Sequence, residues 1–236
     1  MNSCKSFRMK KMENILALDT SMSGCSAAVY RSGEISIRSE AMPRGQSERL
    51  MPMIEEVREE GGIEYEGLDV IAVTIGPGAF TGVRIGLATA RALSLSLGVP
   101  LYGVNSLQVL AWQYALDVQG QEEIMAVTET RRDDFYVQIF DHKGNAVSEL
   151  SALAYPDVAL LIKRDMVLFG DGLERFGKMS VNDYKMKFAE GYIFPDPGVM
   201  AEKLAEGSDV FKRAPEPLYL RGADVSEPKV KPRKIV

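Results

Sequence analysis

Residues 75–86, with the sequence IGPGAFTGVRIG, join a predicted buried strand to a predicted long helix and decide the fold. The preceding residues 69–75 are mostly β-branched, which is typical of a central strand covered on both faces. Gly76 and Gly78 flank a proline, so the chain can turn sharply, and Thr81 is a predicted helix cap. A glycine-rich turn that opens a helix can hold an anion on its free amides, but such glycines also serve simply to reverse the chain.

The predicted helix at residues 81–97 carries two stripes of small side chains. One stripe comprises Gly82, Gly86, Ala90 and Ser94, and its neighbour comprises Ala88, Ala92 and Ser96. Residues four apart share a helix face, and side chains this small let another backbone approach closely. The remaining surface is apolar, so the helix is buried on more than one side, either within its own domain or against a second subunit.

Composition narrows the class of protein. With 236 residues, 46% of them hydrophobic, the chain can form one large or two small domains. A formal net charge of −5 argues against a protein that mainly grips phosphate backbones, although a local basic patch is compatible with it. We expect a cytoplasmic protein, since the two cysteines indicate no disulfide framework and no apolar run is long enough to cross a bilayer.

Metal and nucleophile chemistry have few candidate residues. The single histidine, His142, lies in a predicted turn, and Cys4 and Cys25 are far apart in sequence. These three residues do not form a zinc site or a His-assisted nucleophile. The sequence therefore predicts neither a metal site nor a catalytic residue.

The order of predicted elements indicates a two-lobed α/β protein. Three strands in a meander are followed by helix, strand, helix, strand and helix, which is one half of the ribonuclease-H-like duplicated architecture. The second half has room for fewer elements. We predict four segments: a disordered extension or overlong start at 1–11, an N-terminal lobe at 12–105, a reduced C-terminal lobe at 106–216 and an extended, basic tail at 217–236.

Asp19 ends the first strand, and a hydroxyl-rich loop follows it. Thr20 and Ser21 in this loop could face a ligand together with Gly76 and Gly78. A strand-end carboxylate can hold a hairpin by hydrogen bonds, or it can hold a metal–nucleotide or act as a base in a phosphotransferase. The hairpin role is the commoner one.

Four stretches resemble the TsaB (YeaZ) family of tRNA threonylcarbamoyladenosine biosynthesis subunits. They are residues 15–21 (ILALDTS), 46–52 (QSERLMP), the 76–86 run continuing to 103–107 (GVNSL), and 217–221 (PLYLR). The resemblance implies an actin-like ATPase (ribonuclease-H-like) superfamily fold with a complete N-terminal lobe and a reduced C-terminal lobe. It also implies a TsaD-like catalytic paralogue and a TsaE-like ATPase as partners, tRNA as an indirect partner, and a homodimer when the chain is alone.

The resemblance also bears on catalysis. TsaD-like proteins hold a metal with two histidines four residues apart, and the matching positions here are Ser106 and Leu110. Neither side chain binds a metal as an imidazole does. The expected role is therefore that of a non-catalytic scaffold, required for transfer of threonylcarbamoyl from threonylcarbamoyl-adenylate to N6 of the adenosine beside the anticodon. The chain would have no cofactor of its own, and ATP or ADP could bind at the junction with TsaD and TsaE.

The family pattern places the partner contact on the first two helices, where small and methionine side chains suit close packing. Arg131 aligns with an arginine of the family and could bind a nucleotide phosphate or the tRNA backbone, or pair with Asp133 or Asp134. The predicted partner-binding residues are Ser47, Leu50, Met51, Ile54, Gly82, Val83, Gly86, Leu87 and Ala90.

Three other functions remain open from sequence. The chain could be an ATP-dependent phosphotransferase that uses Asp19 and the two loops at residues 20–24 and 76–80. It could be a degenerate metallopeptidase of the same superfamily. It could also bind tRNA through the basic tail.

Overall fold

The computed structural model describes residues 12–163, 165–179 and 186–220. The predicted extension at 1–11 and all of the predicted tail beyond Leu220 lie outside these residues. The described chain forms two β-sheets with helices packed on them.

The first lobe is an antiparallel meander followed by alternating helices and strands. The 69–75 run forms the predicted strand, with all five residues of its strand buried. The elements are β1 (Asn14–Asp19), β2 (Gly24–Arg31), β3 (Glu34–Ala41), α1 (Gln46–Glu60), β4 (Val70–Thr74), α2 (Phe80–Leu97) and β5 (Leu101–Val104).

The second half repeats this order with shorter helices, preceded by one connecting helix and followed by one further helix and one short strand. Its elements are α3 (Ser106–Asp117), β6 (Ile124–Glu129), β7 (Asp134–Phe140), β8 (Ser151–Ala154), α4 (Tyr155–Leu161), β9 (Val167–Phe169), α5 (Leu173–Met179), β10 (Lys187–Ala189), α6 (Pro197–Ala205) and β11 (Lys212–Arg213).

The two sheets share one topology. The first runs β3-β2-β1-β4-β5 with β11 added at its edge, and the second runs β8-β7-β6-β9-β10. In each sheet the first three strands are antiparallel and the next two join in parallel. This duplication is the ribonuclease-H-like, actin-like ATPase fold, so the predicted fold class is confirmed. The reduction of the second lobe lies in its helices: α4 and α5 have 7 residues each, against 15 and 18 in α1 and α2.

The helix α3 joins the two lobes because it is buried on both sides. Val109 and Trp112 pack with the core of the first sheet, and Leu107 and Leu110 pack with the core of the second. The cores of both sheets therefore meet on one helix.

The end of the described chain returns to the first lobe. Met200 and Leu204 of α6 pack on Ile15 and Val70 of the first sheet, and β11 pairs with β5. The sequence analysis assigned residues 197–213 to the second lobe. The structure corrects this assignment, because the apolar face of α6 covers the side of the first sheet that α1 and α2 leave open.

Candidate interface and anion-binding cleft

The loop between β1 and β2 packs directly against the start of α2. Thr20 Oγ1 donates a hydrogen bond to the Gly82 carbonyl at 2.7 Å, and the Ala79 amide donates to the Ser21 carbonyl at 2.7 Å. A Cβ atom on Gly78 would overlap the Ser21 carbonyl oxygen, and one on Gly82 would overlap that of Thr20. These glycines are therefore required by a close approach of two backbones within the chain.

Most of the predicted partner-binding residues are buried inside the chain, so the prediction is wrong for them. The Gly82 and Gly86 stripe faces Thr20, where a Cβ on Gly86 would lie 2.7 Å from the hydroxyl. The apolar members pack in the core between α1, α2 and the first sheet. Only Ser47 and Met51 are exposed, and the buried residues are Leu50, Ile54, Gly82, Val83, Gly86, Leu87 and Ala90.

The exposed side of α2 carries the other small stripe. Thr81, Ala88 and Ala92 are exposed, and Leu95 is 86% exposed. Their spacing of seven, four and three residues places them on one helix face. We define these four residues, with Ser47 and Met51 of α1, as the docking face. The sequence contained this signal as the Ala88, Ala92 and Ser96 stripe, but composition did not show which stripe faces outward.

Asp19 has the structural role of holding its hairpin. Its side chain is fully buried, and its Oδ1 accepts hydrogen bonds from the Ser21 amide at 3.1 Å, the Ser21 hydroxyl at 2.6 Å and the Thr74 hydroxyl. Its Oδ2 has no hydrogen-bond partner. Burial raises the pKa of Asp19 to about 6, and the bonds from Ser21 and Thr74 oppose that rise.

Three of the five predicted ligand-binding residues face the protein interior. The hydroxyls of Thr20 and Ser21 are engaged with protein atoms, and Gly76 is buried. The prediction is therefore wrong for these three, because the loop closes on α2 and leaves no space for a ligand beside them. Gly78 and Arg131 both line a small cavity between the lobes, and Arg131 also lines a larger cleft.

The positions that match the metal-binding histidines of TsaD-like proteins are engaged in packing. Ser106 is buried, and its hydroxyl donates to the Ser21 hydroxyl at 2.7 Å. Leu110 is fully buried in the core of the second lobe. Within the part of the chain that the structure describes, no three His, Cys, Asp or Glu side chains are grouped to hold a metal ion.

A cleft of about 310 Å³ lies where the N-termini of α1 and α2 meet the second lobe. Gly45 and Ser47 line it from α1, Thr81 and Gly82 line it from α2, and Arg131 lines it from the β6–β7 hairpin. Both helices begin without a side-chain cap, so the predicted cap at Thr81 is wrong, since Ala79 is the capping position. Uncapped first turns leave amide groups free and place two positive dipole ends at this cleft.

Two arginines add formal charge to the cleft. Arg44 and Arg131 both line it, and neither forms an ion pair with a described carboxylate. The alternative pairing of Arg131 with Asp133 or Asp134 is absent from the described ion pairs. Arg131 also has a positive φ of 60°, which is uncommon for a residue other than glycine. The cleft is suited to an anion.

The space directly between the lobes is far smaller. Gly78, Thr128, Glu129 and Asp171 line a cavity of about 20 Å³. This volume accommodates roughly one water molecule. The lobes are therefore too close at this point to admit a nucleotide.

Residues 37–203 match the sequence model of the TsaD family, described as tRNA N6-adenosine threonylcarbamoyltransferase. The chain belongs to this family, on its TsaB (YeaZ) branch. The resemblance drawn from the four sequence stretches is thereby confirmed.

The TsaB relatives align over most of their length. The Escherichia coli (strain K12) protein, named tRNA threonylcarbamoyladenosine biosynthesis protein TsaB, is 26% identical over 219 residues, which cover 88% of this chain and 94% of the relative. The Haemophilus influenzae TsaB is 34% identical over 127 residues, or 53% of each chain. The solved structure of YeaZ from Pseudomonas aeruginosa is 29% identical, with a TM-score of 0.72, and covers 83% of this chain and 94% of its own.

Among the described helices, none has both the length and the hydropathy needed to span a membrane.

Proposed function

We propose that this chain is a non-catalytic scaffold subunit in the biosynthesis of tRNA threonylcarbamoyladenosine. It would serve the transfer of threonylcarbamoyl from threonylcarbamoyl-adenylate to N6 of the adenosine beside the anticodon, in the cytoplasm. The names of the TsaB relatives support the pathway. The non-catalytic role rests on the residues of this chain.

The observation that carries the proposal is the environment of Ser106 and Leu110. A metal-dependent relative needs imidazoles at these positions, and both side chains would have to face a space that a metal and substrate can reach. Here Ser106 is hydrogen-bonded in the interior and Leu110 is packed in the core. The donor set at this site does not suit a metal.

The docking face supplies the surface that a scaffold needs. It comprises a leucine that is 86% exposed, a methionine that is 40% exposed and four small side chains on two adjacent helices. Small residues allow the helices of a partner to approach closely. We propose that a TsaD-like paralogue docks here, that a second copy of this chain occupies the same face when the paralogue is absent, and that a TsaE-like ATPase joins the pair.

The anion-binding cleft opens beside the docking face, since Ser47 and Thr81 belong to both. We propose that the phosphates of ATP or ADP bind there once the partners are in place, with Arg44 and Arg131 as the cationic contacts. The chain would then contribute to a shared nucleotide site without a cofactor of its own. The cavity of about 20 Å³ between its lobes argues against a phosphotransferase that clamps nucleotide there.

Reconstitution tests the function. Purified TsaD-like and TsaE-like proteins, tRNA, threonylcarbamoyl-adenylate and ATP should modify tRNA only when this chain is added. The chain alone should yield no modified nucleoside by mass spectrometry. Modification that is unchanged when the chain is omitted would contradict the proposal.

A matched pair of variants tests the docking face. Leu95 on α2 and Leu160 on α4 are 86% and 84% exposed, so arginine at either position has little effect on folding. Leu95→Arg should weaken association with the TsaD-like partner by at least about tenfold, because a charge would be buried in the interface. Leu160→Arg should co-elute normally in size-exclusion chromatography. Equal behaviour of the two variants would place the interface elsewhere.

A further inference from the structure

The last described residues form a strap along one edge of the first lobe. We define the strap as residues 212–219. Its first two residues pair with β5, the Ala214 amide donates to the Leu101 carbonyl at 3.0 Å, and the Leu218 amide donates to the Ile75 carbonyl at 2.8 Å. Pro215 lies so close to Gly103 that a Cβ there would clash with it. The strap therefore has a fixed course over the sheet edge, beside α2.

Cationic side chains follow this course from one end to the other. Lys212 and Arg213 are exposed on β11, Arg91 donates to the Pro215 carbonyl at 2.8 Å, and Arg84 donates to the Tyr219 hydroxyl at 2.9 Å. Within the described residues, none of these four cations pairs with a carboxylate. The arrangement contrasts with the formal net charge of −5 for the whole chain, and with the ion pairs that four of the other described arginines and four of the other described lysines form.

Two aromatic rings stand at the far end of the strap. Phe80 is 50% exposed and Tyr219 is 47% exposed, with their ring centroids 5.7 Å apart. The Arg84 guanidinium carbon lies 3.7 Å from the centroid of Phe80 and 5.8 Å from that of Tyr219. The arginine thus fixes both rings while leaving half of each open to solvent. No part of the proposed scaffold role uses these rings.

We propose that the strap edge binds single-stranded or looped RNA. A row of unpaired cations attracts the phosphate backbone, and exposed rings beside an arginine provide stacking platforms for unpaired bases. Four cations that lack a described carboxylate partner complement a polyanion, which favours RNA over a protein partner. This inference deepens the proposed function by assigning to the scaffold a contact with the tRNA substrate, and it can fail without the scaffold role failing.

Charge reversal on the strap is the first test. The probe is a fluorescein-labelled oligouridine, titrated with the full chain at several salt concentrations. Lys212→Glu/Arg213→Glu should weaken binding at low salt by about tenfold or more and make the slope of log K against log salt less negative by about 1.4. The matched control is Lys163→Glu/Lys178→Glu, which changes the net charge equally at two ion-paired lysines of the second lobe and should bind as the wild type does.

Ring removal is the second test. Tyr219→Ala should weaken oligouridine binding by roughly fivefold or more, because one stacked base loses its platform. Tyr219→Phe keeps the ring and loses only the hydroxyl that Arg84 contacts, so it should retain most of the affinity. Binding of a blunt RNA duplex should change little in either variant, because its bases are already stacked.

Several outcomes would overturn the inference. One is a wild-type chain that does not bind oligouridine at low salt, and another is an equal loss of affinity in the strap and control charge reversals. Co-elution with the TsaD-like partner distinguishes the two proposals. If Lys212→Glu/Arg213→Glu abolishes co-elution and leaves RNA affinity unchanged, the strap is a protein contact. If RNA affinity falls while co-elution and the Leu95→Arg result stand, both proposals are supported.

Discussion

The two lobes share a strand order but differ in the helices that cover them. An 18-residue helix spans about 27 Å, whereas a 7-residue helix spans about 10 Å. The short helices α4 and α5 suffice to cover one side of the second sheet, where Val158 and Phe176 complete the core. The strands β8, β9 and β10 have 4, 3 and 3 residues, whereas β2 and β3 have 8 each, so the longer helices α1 and α2 cover a longer sheet. We interpret their exposed side as the docking face.

The first hairpin of each lobe shows the same contrast at a smaller scale. The β1–β2 loop is almost wholly buried, and it fixes α2 through the Thr20 hydroxyl. The β6–β7 loop, residues 130–133, leaves Arg131 exposed at a cleft. The β1–β2 loop is thus part of the core of the first lobe, whereas the β6–β7 loop presents Arg131 to a ligand in the cleft. The following predictions test this difference.

Glycine-to-alanine substitution in one helix of each lobe should have the largest effect. Gly82→Ala in α2 places a methyl group against the Thr20 carbonyl, so we expect a loss of about 4 kcal/mol or more in the free energy of unfolding. Gly177→Ala in α5 meets only the far edge of the Phe188 ring at 3.8 Å, so it should stabilise by about 0.5 kcal/mol. Urea unfolding measures both. A Gly82→Ala variant as stable as the wild type would show that the loop and α2 are not tightly packed.

The buried carboxylate of the first lobe gives the next largest effect. Asp19 has its pKa raised on folding from 3.8 to about 6, so the folded state binds more protons between these values. The raised pKa of Asp19 therefore stabilises the folded state fully below about pH 4, and this contribution is lost as the pH rises through about 6. The free energy of unfolding falls by about 3 kcal/mol over this range. Asp19→Asn should flatten this part of the pH profile and unfold at higher urea than the wild type near pH 8.

The second lobe offers a comparison for this titration. Burial, with the neighbouring Glu129, also raises the pKa of Asp171 to about 6, although its side chain is less buried than that of Asp19. Asp171→Asn should therefore flatten the same pH range by a similar amount. The exposed Asp209→Asn serves as the control and should keep the wild-type slope. If Asp19→Asn keeps it too, the burial of Asp19 does not produce the pH dependence.

Much of the first lobe could be predicted from sequence because its elements are long and strongly patterned. The central strand and α2 lie within two residues of their predicted bounds, and the three-stranded meander is present as predicted. The second lobe was harder, since its helices and strands are too short to show a period. The 4-residue β8, the 7-residue α5 and the 3-residue β10 are examples.

The site was less predictable, for a physical reason. Small residues at a spacing of four are required wherever any backbone approaches closely, so the Gly82 and Gly86 stripe could not reveal that its neighbour is Thr20 of the same chain. Arg131 was identified through the family resemblance, and the structure brings it to the N-termini of α1 and α2 by folding the second lobe onto the first. The clustering of cations along the strap could not be predicted from sequence, because they come from α2 and β11, which are more than 100 residues apart.

The smallest predicted effect concerns the strained residue in a hairpin of each lobe. Ser32 and Arg131 have positive φ values of 51° and 60°, which glycine adopts without strain. Glycine at either position should therefore raise the free energy of unfolding by about 0.5 kcal/mol, which is the relieved strain less the cost of glycine's greater freedom in the unfolded chain. Only Arg131 lines the cleft, so pyrophosphate should raise the melting temperature of the wild type and Ser32→Gly but not of Arg131→Gly. Because both variants relieve similar strain, a difference in their response to pyrophosphate must come from the guanidinium. Equal responses would remove Arg131 from the anion-binding cleft.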